Sequence, residues 1–328
     1  MPKEIFLMNR KSKMESVDLG LFKQLGIDQK EAELITKKAQ KGGEIEKDIN
    51  TWLKQRFLPN TVIISKEEYT QMCVSALKIV SNVAATDYGS SRQRDLGQLW
   101  ADMIRGYLGE VAFKQFLNKN WGIESDLGHD KGSLKDYLPL DIHSVKFPGE
   151  PQRPPKVKIS IKATKWNGIW LDIPGDQFNH SDIHILVKVG VGRDHLFAFF
   201  KEISVFRDKV LKIGQEVGSL TEKESEKLFD TLPNFAPIPA YICGFAKKSE
   251  NFDALPYSGR KGRKHFKITA WNGPMSAGDL EKIKEKEGVS GKVQFEGIGK
   301  FSHNQGYLFN TGNLNWTKVQ WDDVVKSI

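Results

Sequence analysis

The stretch KVKISIKATKWNGIWLDIP, Lys156 to Pro174, restricts the fold more than any other part of the chain. Val157, Ile159, Ile161 and Ala163 alternate with Lys158, Ser160, Lys162 and Thr164, which is the period of a strand with one apolar and one polar face. Such a strand belongs in a sheet whose apolar face is covered. Its polar face carries Lys158 and Lys162, so negative charge is expected nearby, and a second short strand, GIWLDIP, follows directly.

The cover is supplied upstream. From about Ser16 to Asn120 the pattern is mostly helical. DQKEAELITKKAQKGG starts at a cap-like Asp28, and SKEEYTQMCVSALKIVSNVAAT opens with the capping-box pair Ser65 and Glu68. In DLGQLWADMIRGYLGEVAFKQFLNKN a broad apolar stripe runs from Leu96 to Phe116 at helical spacing, and this helix is expected to pack on the sheet. Further strands are expected in PLDIHSV, DIHILVKVGV, HLFAFFKEI and AYICGFAKK, with a helix in GSLTEKESEKLFDTL. The tail holds a basic, glycine-punctuated loop, SGRKGRKHFK, a short helix, SAGDLEKIKEKEG, and an aromatic β-like ending.

The expected fold class is mixed α/β (α+β): a central mixed sheet flanked by helices, with a helical N-terminal portion and a β-rich C-terminal portion. The expected division is 1–94 as a helical N-terminal region, 95–248 as the core, and 249–328 as a basic C-terminal region. Apolar residues make up 39% of the chain, enough for a substantial core. A formal charge of +8 shifts the choice of partner towards anions, nucleic acid first. Cys73 and Cys243 form no CxxC pattern, so neither a disulfide framework nor a structural zinc site is expected. MPKEIFLMNRKSKM lacks the apolar run of a signal peptide, and no apolar run reaches the ~20 residues of a membrane helix. A soluble cytoplasmic protein is the expectation.

One ordered combination carries chemistry. Glu110 sits in the long helix beside Gly109, whose missing side chain permits close backbone approach. Asp141 lies in YLPLDI at or near a strand, and Ser160 and Lys162 share the polar face of the next strand. Taken singly, Glu110 is an exposed helix acid, Asp141 a turn residue and the lysines a solvated strand face. In order, they are what phosphodiester cleavage needs: carboxylates to hold a divalent cation on the phosphate, and an amine to steer or deprotonate a water.

On Glu110 in GYLGEVAFKQFL, Asp141 in PLDI and the SIKAT strand, the chain resembles the PD-(D/E)XK nuclease superfamily, type II restriction endonucleases in particular. The resemblance spans roughly Asp95 to Lys248. It implies Glu110, Asp141, Ser160 and Lys162 as the catalytic positions, Mg²⁺ as cofactor, and 5′-phosphate and 3′-hydroxyl ends as products. Two departures stand out. Pro-Leu-Asp replaces the usual Pro-Asp spacing, and Ser160 occupies a position where Asp or Glu is usual; a hydroxyl is a weak, uncharged ligand. The metal set implied is therefore Asp141 and Glu110, with Asp172 on the following strand in reserve.

The implied activity is site-specific hydrolysis of double-stranded DNA. A palindromic site would be met by a homodimer, and a cognate DNA methyltransferase would be a genetic partner. Candidate DNA contacts are Lys158, Lys165, Arg260, Lys261, Arg263 and Lys264, with Asn304, Gln305 and Asn310 available for base edges. Two other readings stay open: a repair or junction-resolving nuclease with the same core, and a DNA-binding protein whose core is inactive because of Ser160. His180 and His184 stand four apart, but the strand-like alternation around His184 argues against a zinc pair. GIGKFSHNQG lacks the strand-to-helix context of a phosphate loop.

Overall fold

A computed structural model describes residues 19–80, 95–127, 141–250, 252, 257–298 and 305–328. The chain begins with helices α1 (Leu19–Gln24), α2 (Gln29–Lys41) and α3 (Ile49–Trp52), the last running into a π turn at Leu53–Phe57. Strand β1 (Thr61–Ile64), helix α4 (Lys66–Ile79) and the long helix α5 (Leu96–Trp121) come next. Then follow β2 (Glu124–Asp126), β3 (Ser144–Lys146), β4 (Ile159–Lys165), β5 (Trp170–Pro174), α6 (Gly175–His180) and β6 (Ile183–Val189). Helices α7 (Arg193–Glu202), α8 (Lys212–Glu216) and α9 (Glu222–Thr231) separate β6 from β7 (Ile238–Lys247). The remainder comprises β8 (Ser258–Lys261), β9 (Phe266–Ala270), β10 (Asn272–Ser276), α10 (Ala277–Lys286), β11 (Val293–Phe295), β12 (Gln305–Asn310) and α11 (Lys318–Ser327).

The fold is mixed α+β. The main sheet has the order β1-β7-β6-β4, with β4 parallel to β6 and the other pairs antiparallel. A second sheet, β10-β12-β5, is antiparallel, and a third, β11-β9-β8, is mixed. Because β6 and β7 are covered on both faces, they read as near-continuous apolar runs, as buried central strands do.

One face of the main sheet meets α5. Ile104, Leu108, Val111 and Ala112 pack in one cluster with Ile159, Ile161, Ile185, Val187 and Ile242. The stripe read from the sequence thus lies where expected. Gly109 is the closest approach, since a Cβ there would sit 2.7 Å from Ala163 Cβ. Helix α5 is capped by Asp95, which accepts from the Gln98 N–H, and stops at left-handed Gly122. The capping box of α4, Ser65 with Glu68, forms as read.

The other face packs on the N-terminal helices. Leu186, Tyr241 and Cys243 share a cluster with Phe22, Ile35, Trp52 and Phe57, and with Leu171 and Phe309 of the second sheet. Within it lies a charged network: buried Lys188 pairs with buried Glu44 at 2.5 Å, and Tyr241 Oη donates to the same carboxylate at 2.9 Å. Buried Arg56 donates to the carbonyls of Cys243 and Thr311.

Several local expectations change. HLFAFFKEI is not a strand but most of α7; Gly192 N–H donates to His195 Nδ1 at the start of that helix, and its apolar residues pack helically. The helical run is interrupted by β1, whose partner β7 is remote in sequence. SGRKGRKHFK is no loop but the antiparallel ribbon β8–β9, with Arg260 opposite Lys267. Asp141 stands at a bend ahead of β3 rather than on a strand. Asn310 is buried, its Oδ1 accepting from Trp271 N–H, so it reads no base edge. MPKEIFLMNRKSKM, the end of the second helical pattern (81–86), Pro139 and Leu140, and Asn304 lie outside the described residues, as does most of GIGKFSHNQG. Among the described residues, no helix is long and apolar enough to cross a membrane.

Candidate active site

Among the described residues, strand β4 is an edge strand of the main sheet. Ile159 and Ile161 enter the core under α5, so Ser160 and Lys162 emerge on the opposite face, both half-buried. The register places Ser160 beside His184 and Lys162 beside Leu186 of β6.

Asp141 docks onto the open edge of β4. Its Oδ2 accepts from the Ile161 N–H at 2.5 Å, and its own N–H approaches the Ile159 carbonyl at 3.4 Å. An edge strand has unpaired N–H groups to offer, and here one of them fixes a carboxylate one residue from Lys162. Asp172 arrives from β5, the second strand of the quoted stretch, and is half-buried. Glu110 arrives from α5, next to the glycine that lets this helix touch Ala163.

These groups meet electrostatically at Lys162. Burial pushes its ammonium below the ordinary lysine range, while Asp141, then Asp172, then Glu110 pull it back without cancelling the shift. The charges of Asp141, Asp172 and Glu110, carried by three separate elements, thus all act on Lys162. Lys162 Nζ also donates to Gln177 Oε1 at 2.6 Å. Gln177 lies on α6, which the sequence presents only as the turn-rich GDQFNHS; no spacing rule singles it out.

His184 completes the floor. It is fully buried, stacked on Phe178 at 4.9 Å and 11°, and its Nε2–H donates to the Phe178 carbonyl at 3.3 Å. Burial first, and the nearby Lys162 charge further on, bring its pKa down to about 4, so it is neutral at physiological pH. His180 ends α6 and His184 lies inside β6, which disposes of the helical zinc pair.

Among the described residues, no group of three or more His, Cys, Asp and Glu converges closely enough to hold a metal ion. The donor set nevertheless suits Mg²⁺, since all three acids offer oxygen. Mg²⁺ is ordinarily bound by one or two carboxylates, with waters and substrate phosphate filling its remaining positions. The candidate DNA contacts Lys158, Lys165, Arg260, Lys261, Arg263 and Lys264 are all exposed. Lys158 is anchored through its backbone, whose N–H donates to Asp182 Oδ2 at 2.8 Å.

The chain matches no protein-family model, no curated protein and no solved structure. The functional reading therefore rests on these residues alone.

Proposed function

We propose that the chain is a Mg²⁺-dependent endonuclease that hydrolyses phosphodiester bonds of double-stranded DNA at specific sites. The observation that carries this reading is the half-buried Lys162 ammonium within the fields of Asp141, Asp172 and Glu110. A lysine whose pKa is lowered by burial, at a strand edge and within the field of carboxylates, gives up its proton more readily than an ordinary lysine and is a candidate for proton transfer.

One or two of the acids Asp141 and Glu110, with Asp172 in reserve, would hold Mg²⁺, water and substrate phosphate filling its other positions. The bound ion supplies a Lewis acid for the phosphoryl oxygen and a lower pKa for its water. The chain's own part is to position. Gln177 holds Nζ of Lys162 by accepting its hydrogen bond, and the Ile161 N–H holds Asp141. Neutral Lys162 takes a proton from the attacking water as its oxygen bonds to phosphorus. The bond from phosphorus to the 3′-oxygen breaks and that oxygen takes a proton from solvent water, leaving a 5′-phosphate and a 3′-hydroxyl. Ser160 binds by hydrogen bonding alone, so the charge on the site comes from the three acids.

A palindromic target would be cut by a homodimer, and buried, unpaired Cys73 and Cys243 suit a reducing cytoplasm. Incubating the chain with plasmid and Mg²⁺ tests the reading. Discrete linear fragments, lost on chelation and in Lys162→Ala, are expected. Cutting confined to branched DNA would make the chain a junction nuclease instead. Duplex binding without cutting would make it an inactive-core binding protein, the outcome Ser160 favours.

A further inference from the structure

The end of α2 and the β8–β9 ribbon meet around a single carboxylate. Glu296, just after β11, is fixed through its backbone: its N–H donates to Ile268 O at 2.8 Å, and its carbonyl accepts from Trp170 Nε1 at 2.7 Å. Its side chain is only 10% exposed, and three cations divide its two oxygens. Lys41 takes Oε1 at 2.7 Å, while Arg260 at 3.0 Å and Lys267 at 3.6 Å share Oε2.

The acid is recessed and the cations are not. The side chains of Lys41, Arg260 and Lys267 are 35%, 65% and 39% exposed. Lys37 and Lys38 of α2 join the same group. Burial and then the charge of Lys41 push Lys38 below the ordinary lysine range, with Lys37 and Lys267 adding to the effect and Glu296 opposing it. Four cations, Lys38, Lys41, Arg260 and Lys267, therefore act on one carboxylate, and Lys37 acts in turn on Lys38. Arg263 and Lys264, in the turn of the same ribbon, are exposed as well, while Lys261 turns to the Glu287 carbonyl. A group of cations drawn from a helix and a ribbon suits a repeating anion better than a single one.

Strand β5 connects this surface to the candidate active site. Trp170, which holds Glu296, and Asp172, whose charge acts on Lys162, are two residues apart on β5, a span of about 7 Å. We propose that the α2–ribbon surface binds the phosphate backbone of duplex DNA beside the scissile bond, with Glu296 aligning cations that the phosphates then take over. The choice of DNA as the polyanion rests on the nuclease reading. The surface gives the N-terminal helix α2 a role in substrate binding.

The test measures binding of the full chain to labelled duplex DNA in EDTA, across a salt series, so that cleavage does not intervene. Lys38→Gln combined with Lys267→Gln is expected to lose about tenfold in affinity. Its slope of log K against log salt should become shallower by about 2, one released phosphate contact per cation. Lys326→Gln, an exposed lysine on α11, should match the parent chain. Glu296→Gln, which frees three cations, should bind more tightly, provided its melting temperature matches that of the parent; if it melts early, the double variant decides alone. Parental affinity and slope in the double variant would overturn the assignment, as would binding to anionic vesicles with duplex left unbound. Salt-sensitive binding through these cations without plasmid cleavage in Mg²⁺ removes the nuclease reading and leaves the surface standing. Plasmid cleavage with parental binding in the double variant does the reverse.

Discussion

The Lys162 ammonium donates to Gln177 Oε1 at 2.6 Å, tying the middle of β4 to the short helix that follows β5. The bond restrains a long, flexible amine that feels the charges of Asp141, Asp172 and Glu110. Gln177→Ala releases it, and cleavage should fall about tenfold to a hundredfold with little change in melting temperature. Gln177→Glu tests the proton itself. If neutral Lys162 is the working form, the rate rises with pH through its pKa, and burial sets that rise below the ordinary lysine range. An added carboxylate raises the pKa, so the pH–rate profile of Gln177→Glu should move to higher pH. An unmoved profile would remove Lys162 from the proton transfer.

Asp141 has a structural and a chemical duty, and one substitution separates them. Its carboxylate accepts from the Ile161 N–H, and a hydrogen bond to a charged group contributes about 1.5–3 kcal/mol. Asp141→Ala should lose both stability and cleavage. Asp141→Asn keeps an acceptor for the strand edge but removes the charge offered to a cation. It should melt near the parental temperature while cleaving at least about a hundredfold more slowly. Parental cleavage by Asp141→Asn would exclude this carboxylate from metal binding.

What the sequence made legible was periodic and local. The alternation around Ile159 and Ile161 identified the strand and its buried face, and the stripe of α5 identified its cover. Gly109 was readable as a close approach because a glycine beside a candidate acid has few other uses. The misread HLFAFFKEI is a short apolar run, where helix and strand periods are hard to tell apart; Gly192 and His195 at its start were the available signal. Gln177 and the Glu44–Lys188 pair were invisible for another reason. Each works through a partner that only folding brings near, and for Lys188 that partner is 144 positions away. Ser160 could be read as a departure from the acid usual there, and its half-buried place beside His184 gives it no substitute charge.

The contact between Gly109 and Ala163 makes a reciprocal prediction. A methyl at Gly109 would lie 2.7 Å from Ala163 Cβ, so Gly109→Ala must push α5 away from β4. Overpacking of this kind costs about 1–3 kcal/mol, and here it also shifts Glu110 relative to Lys162. Lower stability and lower activity should appear together. Ala163→Gly removes the atom that is struck, so the double variant should regain much of both. Parental cleavage by Gly109→Ala despite its lower stability would mean that the position of Glu110 is irrelevant to cleavage.

The Glu44–Lys188 pair joins the segment after α2 to the buried face of β6, and it should dominate stability at acid pH. Burial alone would push the Glu44 pKa up, but Lys188 and then Arg56 outweigh it and bring it down to about 2, from 4.5. A carboxyl depressed on folding contributes stability above its unfolded pKa and loses it as pH falls through the folded value. Urea midpoints should therefore fall between pH 4.5 and about 2 by more in the parent chain than in a variant lacking the pair. Glu44→Gln or Lys188→Met alone strands a buried charge or its partner, at a cost of about 3–5 kcal/mol. The double variant Glu44→Gln, Lys188→Met removes both charges of the pair, leaves Arg56 on its two carbonyls, and should be more stable than Lys188→Met alone. If each single variant unfolds at the parental urea midpoint, the pair is not holding α2 and β6 together.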